Sequence, residues 1–357
     1  SWIKPGKAAW NWWSGTIGAN GERDFSKEGM KYYIDFAAES GFEFLLIDAG
    51  WATRGDITKM NGRVDIPMLV QYARQKDVGI WLWIHYRDAV KQLEEAFPIY
   101  EKWGVAGMKI DFIERDDQDG IEFYYRAAKK AAEHHLMLDF HGSTKPTGLS
   151  RTYPNIMGYE GVVGMEVSKG SLRDNPDSHL MIPFTRMLQG FMDYTPGGFD
   201  NVTMDQFVPR RAKPMVMGTR AHHLAMFVVY ESPLQMVSDY PMAYEGQPSF
   251  QFIKDVPSTW DETRVLNGVP AEFITIARRR GSEWFVGSMT NGNSRQFELP
   301  LDFLDDRKYT AEIYKDDQDS DRHPKKILIE QRSVTKEEQL KLQLSPAGGC
   351  AIRFYPQ

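Results

Sequence analysis

Apolar runs alternate with helix-like segments along the first two thirds of this chain, and this alternation restricts the fold more than any other feature. Eight strand-then-helix units in about 240 residues agree in size and number with a (β/α)8 TIM barrel. The strand-like runs are almost continuously apolar, as a sheet covered on both faces requires. An open doubly wound sheet is the alternative, and the lack of a Gly-rich phosphate loop after the first strand disfavours it.

The periodicity predicts where these elements lie. The predicted barrel strands are residues 8–13, 42–48, 78–85, 105–111, 136–141, 156–160, 193–198 and 234–239. The predicted helices are residues 27–40, 66–75, 88–103, 120–134, 179–190 and 214–231.

The pattern changes near residue 260 to short, turn-separated segments with period-2 alternation, which is typical of antiparallel sheets. The predicted strands are residues 272–277, 283–288, 295–301, 309–315, 338–344 and 349–355. We therefore predict an α/β chain with two domains, a catalytic (β/α)8 barrel over residues 1–262 and an antiparallel β-sandwich over residues 263–357.

Composition excludes several classes of function. The net charge of -6 argues against nucleic acid as a partner, and no apolar run reaches the roughly 18 residues of a membrane span. The single cysteine rules out a disulfide framework. Neither a Gly-x-Ser-x-Gly elbow nor a reactive cysteine context is present. The histidine pairs at residues 134–135 and 222–223 lack the spacing of metal-binding histidines, and we interpret them as structural.

Polar side chains stand at the ends of the predicted barrel strands, where the active sites of such barrels lie. They are Asn11, Asp48, His85, Lys109, Asp111, Asp139, His141, Glu160, Asp193 and Asp239. Some of the ten Trp residues are expected to stack on sugar rings, and most to fill the core.

Lys109 and Asp111 are two residues apart on one strand, so both side chains point into the barrel mouth. A cation there would keep the carboxyl group of Asp111 ionised, as a nucleophile requires. Lys109 could instead form a Schiff base, which an adjacent carboxylate disfavours, and a structural ion pair is the simplest interpretation.

A second acidic stretch follows at residues 160–166, where Glu160 and Glu166 flank a glycine-containing segment. These glutamates could act as acid and base, as metal ligands, or as both; oxygen ligands without clustered histidine or cysteine would indicate calcium. Two carboxylates on different barrel segments are also the minimum for cleaving a glycosidic bond.

Eleven short stretches, taken together and in order, resemble glycoside hydrolase family 97. They are residues 3–7, 10–13, 48–51, 107–112, 115–118, 145–148, 151–155, 159–162, 183–186, 192–197 and 259–264. The resemblance implies a calcium-using bacterial enzyme that acts on α-galactosides or α-glucosides.

The resemblance also implies which branch of the family applies. An inverting member would carry a glutamate directly after the histidine that ends strand five, and this chain has Gly142 after His141. A retaining member would carry an aspartate nucleophile on strand four, the position of Asp111. The resemblance therefore implies a retaining, α-galactosidase-like enzyme with Glu166 as acid/base and with Glu160 and Glu166 as calcium ligands.

The remaining site residues are expected to bind substrate hydroxyl groups or to stack on the sugar. They are Asn11, Trp13, Asp48, Trp51, His85, Lys109, His141 and Asp193. Family members carry an N-terminal β-domain before the barrel, and we expect such a domain as a partner that this chain lacks. The resemblance implies a periplasmic or secreted location. An α-glucosidase and a non-catalytic carbohydrate-binding fragment are the alternatives.

Overall fold

The computed structural model describes residues 2–357, and these form two compact units. The first unit contains the described residues up to Gly164, with Gln189–Thr195 and Ser232–Met242. The second contains Met165–Leu188, Pro196–Glu231 and Ala243–Gln357. The boundary between residues 262 and 263 stays a prediction, and residue 1 of the predicted barrel domain lies outside the described residues.

The strands, in chain order, are β1 (Gly6–Trp10), β2 (Phe44–Ile47), β3 (Ala52–Thr53), β4 (Asp56–Met60), β5 (Gly79–His85), β6 (Gly107–Asp111), β7 (Met137–Phe140), β8 (Ile156–Tyr159), β9 (Asn201–Val202), β10 (Val216–Met217), β11 (Leu234–Val237), β12 (Glu262–Val269), β13 (Phe273–Arg280), β14 (Glu283–Thr290), β15 (Arg295–Pro300), β16 (Tyr309–Asp316), β17 (Ile327–Val334), β18 (Gln339–Leu344) and β19 (Gly349–Pro356).

The α-helices are α1 (Lys27–Glu39), α2 (Ile66–Arg74), α3 (Tyr86–Trp103), α4 (Gln118–Glu133), α5 (Leu149–Thr152), α6 (Pro176–Met181), α7 (Arg220–Val229), α8 (Pro241–Tyr244) and α9 (Phe250–Asp255). Short 3-10 helices cover Met165–Lys169, Ile182–Phe184 and Arg186–Gln189. Within residues 2–357, no helix has both the length and the apolar character needed to cross a lipid bilayer.

A nearly closed sheet of seven parallel strands forms the first unit, in the order β11-β1-β2-β5-β6-β7-β8. This arrangement confirms the predicted barrel class. Its strands are buried along most of their length, which explains their continuous apolar runs.

The predicted seventh barrel strand, residues 193–198, is wrong, because the chain there is irregular. The segment nevertheless lies between β8 and β11, where the predicted strand would have stood. The Asp193 amide donates to the Tyr159 carbonyl at the end of β8 (3.0 Å), and the Ser238 hydroxyl donates to the Thr195 carbonyl at the other side of the gap. Thr195 adopts a φ of 63°, which regular strand geometry does not allow.

Helix starts in the first unit follow capping chemistry that is visible in the sequence. Ser26, Asp65 and Asp117 accept hydrogen bonds from backbone amides in the first turns of α1, α2 and α4. Helix α3 ends at Gly104, which adopts the left-handed conformation (φ 82°). The barrel helices therefore begin and end close to their predicted positions.

Two later helices differ from their predictions. The predicted helix over residues 179–190 is replaced by α6 and two 3-10 turns, because Pro183 cannot supply a backbone donor in a continuing helix. The predicted helix over residues 214–231 begins only at Arg220, after the short strand β10 and Gly218 (φ 103°).

A β-sandwich forms the C-terminal part of the second unit, as predicted. A six-stranded sheet in the order β12-β13-β14-β19-β16-β17 packs its inner face against the pair β15-β18. Strands β12 and β17 are the sheet edges, and the sequence analysis missed both. On the other face lies α7, where Gly287 leaves room for the backbone and side chains of that helix.

Candidate active site

Strand register brings the predicted polar residues of three neighbouring strands to two adjacent levels of the barrel mouth. Lys109 on β6 pairs with Trp83 on β5 and with Asp139 on β7. One step further along, Asp111 pairs with His85. Residues two apart on a strand share a face, so Lys109 and Asp111 lie one above the other, as predicted.

The carboxyl group of Asp111 is held by two hydrogen-bond donors. The Trp83 indole Nε1 donates to Oδ2 (2.9 Å), and the Phe112 amide donates to Oδ1 (2.6 Å). Burial alone would raise the pKa of Asp111, but the charges of Lys109 and His141 and these two donors outweigh burial and lower it. Asp111 is therefore an ionised, oriented carboxylate at the end of a barrel strand.

Lys109 supplies part of this charge from a buried position. Its side chain is 1% exposed, and Nζ lies 4.2 Å from the centre of the Trp10 ring. An ammonium group over an indole face is stabilised as a cation. Because a Schiff base requires the neutral amine, this environment supports the electrostatic role that the sequence predicted for Lys109 and disfavours the imine alternative.

His141 forms the centre of a buried charge cluster with Asp139 and Asp193. Its Nε2 donates to Asp193 Oδ2 (2.7 Å) and lies 3.4 Å from Asp139 Oδ2. Burial and the charge of Lys109 oppose a proton on His141, but Glu160 and Asp139 outweigh them and raise its pKa well above the ordinary value. Burial and the nearby Asp139 raise the pKa of Asp193 to about 6.

Glu160 extends this cluster towards Gly142. Its Oε1 lies 3.6 Å from His141 Nδ1, and its Oε2 accepts a hydrogen bond from the Gly142 amide (2.7 Å). Gly142 has a φ of 52°, and a Cβ atom there would lie 3.0 Å from the Phe112 Cα atom. The turn after Asp111 therefore packs against a position that only glycine fits without strain.

The barrel mouth contains groups that could bind a metal ion. Asp139, His141 and Asp193 each bring one ligand atom within 4.8 Å of the others, and neither oxygen of Asp139 accepts a hydrogen bond from a described residue. Carboxylate oxygens suit calcium, whereas a protonated histidine cannot be a ligand. The half-buried Glu160 is therefore the better donor for a hard cation than His141.

A set of hydrogen-bonded side chains links the ends of β1 and β2. The Trp10 indole Nε1 donates to Asp48 Oδ2 (2.7 Å), and the Asp48 amide donates to Asn11 Oδ1 (2.9 Å). Trp10 also lies below the Lys109 ammonium group. Asn11 and Asp48 are therefore connected, through one tryptophan, to the charges around Asp111.

The other predicted substrate-binding residues differ in exposure. Trp13 and Trp51 are fully buried, and the Trp51 indole donates to the Trp83 carbonyl (2.8 Å). His85 is half-buried, and its Nδ1 accepts the Arg87 amide hydrogen at the start of α3. The burial of both tryptophans suits packing better than sugar stacking, and the substrate-binding role of all three residues stays a prediction.

Glu166 lies in the second unit, on the 3-10 helix Met165–Lys169, and is half-buried. The glycines of residues 160–166 predicted a bent backbone, and Gly161 has a φ of 46°. The backbone there is irregular, as the sequence indicated. The assignment of Glu166 as acid/base stays a prediction.

Three site residues were missed by the sequence analysis. They are Trp83, which donates to Asp111; Phe112, which donates its amide to Asp111; and Trp12, which stacks on Trp10 (centroids 5.6 Å apart, 26° between planes) and is half-buried. The alternation of Trp81, Trp83 and His85 on one face of β5 could have indicated Trp83.

Comparisons with known proteins agree with this architecture. The sequence model described as "Glycoside hydrolase 97" matches residues 10–162. The one described as "Glycosyl-hydrolase 97 C-terminal, oligomerisation" matches residues 259–355.

Two curated relatives are similar along most of this chain. The retaining alpha-galactosidase of Bacteroides thetaiotaomicron is 41% identical over 361 residues, which cover 99% of this chain and 54% of that protein. The probable retaining alpha-galactosidase of Streptomyces bingchenggensis is 38% identical over 310 residues, 84% of this chain and 46% of that protein. The chain thus spans about half the length of these relatives.

A solved structure is also similar to the whole chain. A glycoside hydrolase family 97 enzyme from Pseudoalteromonas sp. strain K8, in complex with acarbose, superposes with a TM-score of 0.89 at 34% identity. The match covers 100% of this chain and 61% of that enzyme. With both family models, these relatives and the barrel-and-sandwich fold in agreement, this chain belongs to glycoside hydrolase family 97.

Proposed function

We propose that this chain forms the catalytic part of a retaining glycoside hydrolase that cleaves terminal α-galactosides. One observation carries the proposal. Asp111 ends a barrel strand as an ionised carboxylate with both oxygens held by donors. The family resemblance adds that Gly142 stands where an inverting member would carry a glutamate. The names of the two curated relatives support both the retaining outcome and the galactoside substrate.

In the first step, a carboxylate oxygen of Asp111 attacks the anomeric carbon of the bound galactoside. The bond to the glycosidic oxygen breaks, and that oxygen takes a proton from Glu166 and leaves as an alcohol. The product of this step is a glycosyl ester of inverted configuration on Asp111. Lys109 and His141 serve here by keeping Asp111 ionised before the attack.

In the second step, Glu166, now a carboxylate, takes a proton from a water molecule. The water oxygen attacks the anomeric carbon, the ester bond breaks, and Asp111 recovers its carboxylate. Two inversions give a sugar of retained configuration. The polar groups around Asn11 and Asp48, with the half-buried Trp12, are proposed to bind the galactose ring.

Calcium is proposed as the cofactor, with Glu160 and Glu166 as its protein ligands. Carboxylate oxygens are the donors that calcium prefers, and the half-buried Glu160 offers them beside His141. Bound calcium would supply a fixed positive charge that favours negative charge developing on the departing oxygen. Removal of the ion with a chelator is expected to reduce turnover, and added calcium to restore it.

The test of the nucleophile is the variant Asp111→Gly with an aryl α-galactoside. Turnover is expected to fall by about three to five orders of magnitude. Azide should restore it by attacking from the vacated side, and the product should be β-galactosyl azide. An α-galactosyl azide, or no rescue in a folded variant, would contradict the assignment.

Glu166→Ala tests the acid/base role separately. A substrate whose leaving group needs no protonation should lose much less rate in its first step than an alkyl galactoside. An equal loss with both substrates would contradict the role of Glu166.

The alternative within the family is an α-glucosidase, which the acarbose complex of the Pseudoalteromonas enzyme supports. The ratio of kcat/KM for aryl α-galactoside and aryl α-glucoside decides between them. A second alternative is a non-catalytic carbohydrate-binding fragment, since the chain spans about half of its relatives. That alternative predicts protection from thermal unfolding by sugar without turnover.

On the resemblance alone, we also propose a periplasmic or secreted location and an N-terminal β-domain as partner. Cell fractionation of the producing bacterium tests the location. Co-purification with a separately produced N-terminal β-domain of the family tests the partner.

A further inference from the structure

A cavity of about 500 Å³ opens on the barrel rim directly beside the residue that follows Asp111. We call it the rim cavity, and its lining includes His85, Arg87, Lys91, Phe112, Glu114 and Arg115. Its walls are the end of β5, the first two turns of α3 and the turn after β6. The volume lies within the range of about 300–1,000 Å³ that is typical of small-molecule sites.

The rim cavity carries unneutralised positive charge. Arg87 and Lys91 lie one turn apart on α3, both are exposed, and neither forms an ion pair with any residue in the described range 2–357. The third cation, Arg115, is bound by Asp117 (2.5 Å) and Asp119 (3.0 Å) and contributes little.

The opposing charge at this cavity is small. Glu114 is the one carboxylate of the cavity lining, which leaves an excess of one positive charge after it is set against Arg87 and Lys91. The start of an 18-residue helix adds positive potential, part of which Asp88 in its first turn offsets. An anion is therefore the ligand that this cavity would attract.

An aromatic surface accompanies this charge. The Phe112 and His85 rings stack with centroids 5.1 Å apart and 26° between planes, and Phe112 is 48% exposed. Its φ of 61° is uncommon for a non-glycine residue and turns the ring away from the barrel core. Exposed aromatic rings beside charged donors suit sugar rings that carry polar substituents.

We propose that the rim cavity is a subsite for an anionic group of the substrate, a carboxylate, sulfate or phosphate ester on a sugar. Arg87 and Lys91 bind the anion, and Phe112 contacts the ring that bears it. The subsite rests on the proposed galactosidase function, since it continues from the turn after the proposed nucleophile. The anionic group could lie on the transferred galactosyl unit or on the leaving group.

The test compares anionic and neutral substrates in matched pairs. For the transferred unit, the pair is 4-nitrophenyl α-galactoside and its 6-sulfate; for the leaving group, it is melibiose and melibionate. In at least one pair, we expect kcat/KM at low salt to be about fivefold to thirtyfold higher for the anionic member. The advantage should shrink as ionic strength rises, because salt screens exposed charges beyond about 10 Å at 0.1 M.

The variant R87Q/K91Q should remove that advantage. The matched control is K102Q, which removes an exposed lysine from the last turn of the same helix, outside the rim cavity. K102Q should leave both activity and the ratio unchanged. A ratio at or below one in both pairs, or a ratio that R87Q/K91Q leaves intact, overturns the proposal.

The neutral substrates separate this test from that of the function itself. If neither neutral substrate is hydrolysed, the proposed function fails, and calorimetric titration with galactose 6-sulfate and melibionate then decides the subsite. Tighter binding of an anionic sugar than of galactose, lost in R87Q/K91Q and kept in K102Q, supports it. Equal binding of charged and neutral sugars overturns it.

Discussion

Two buried histidine groups in this protein hold opposite charge states, although burial acts on both in the same direction. At the barrel mouth, His141 lies between carboxylates, and its pKa is raised well above the ordinary value. In the second unit, His222 and His223 lie on α7, and burial with neighbouring histidines lowers the pKa of His222 strongly and that of His223 to about 4. The partners of a buried histidine therefore decide its charge.

The hydrogen bonds on α7 explain why His222 stays neutral. Its Nδ1 faces the Gly348 carbonyl (3.1 Å), which can only accept, so Nδ1 carries the proton. Its Nε2 then accepts from His179 Nδ1 (2.9 Å). A second proton on His222 would oppose the proton of His179, whereas at His141 each nitrogen faces a carboxylate. The α7 histidines therefore have a structural role, whereas His141 carries a charge beside the proposed nucleophile.

The largest expected effect comes from removing the charge of His141. His141→Gln leaves Asp139 and Asp193 buried without the cation that contacts both of them, which should lower the free energy of unfolding by about 3–5 kcal/mol. It should also raise the pKa of Asp111 and move the acid limb of the kcat/KM profile to higher pH, since His141 helps to keep that carboxyl ionised. Urea unfolding and a pH–rate profile measure the two effects.

The matched control is His223→Gln on α7. His223 contacts the Met217 carbonyl (2.8 Å), and its Nε2 has no carboxylate partner among the described residues. The substitution should therefore cost about 1 kcal/mol and leave the pH–rate profile in place. If both substitutions cost the same and neither moves the profile, the contrast between charged and neutral histidines is wrong.

The pH dependence of stability should differ in sign between the two groups. His223 has a lowered pKa, so its contribution is present above about 6.5 and is lost as the pH falls towards about 4, which corresponds to roughly 3 kcal/mol. His141 has a raised pKa, so its contribution is present below about 6.5 and is lost as the pH rises through its folded-state value.

The difference in free energy of unfolding between wild type and a single variant isolates the contribution of one histidine from those of other titrating groups. Asp316 is one such group, because burial raises its pKa to about 7 and its contribution to stability is also lost as the pH rises. The cost of His223→Gln should shrink on acidification from pH 6.5 and reverse sign before pH 4, because only the wild type loses roughly 3 kcal/mol over this range. The cost of His141→Gln should shrink on alkalinisation. Parallel trends would show that both histidines share one charge state.

The sequence predicted the barrel, the sandwich and the level of Asp111, because strand periodicity and strand ends are local signals. It failed at residues 193–198, where a hydrogen bond from the Asp193 amide to β8 and one from Ser238 to the Thr195 carbonyl hold an irregular segment in place of a strand. The same limit applies to the charge of the buried histidines. That His141 is charged and His222 neutral depends on which distant residues face each ring, and single-sequence patterns contain no such pairing.

A substitution at Gly142 tests whether the turn that follows Asp111 requires a glycine beside His141. Gly142→Ala would place a Cβ atom 3.0 Å from Phe112 Cα at a φ of 52°, and should cost about 2–3 kcal/mol with a clear loss of activity. Gly62→Ala is the control, since its φ is also positive (85°) but a Cβ atom there meets nothing within 4 Å. Equal costs for both would leave only the φ penalty, about 1 kcal/mol, and would remove the steric argument.

The smallest effect is expected at Trp83, because its indole N–H is a neutral donor to Asp111 and carries no charge. Trp83→Phe should reduce kcat/KM about tenfold and raise the apparent pKa of the acid limb, because one group that favours ionised Asp111 is lost. Trp81→Phe, on the same strand, removes an indole nitrogen that has no partner among the described residues, so any loss there reports packing alone. If the two variants shift the acid limb equally, orientation by Trp83 adds nothing to the charges of Lys109 and His141. If only Trp83→Phe shifts it, the mouth uses both charge and donor geometry to hold its carboxylate.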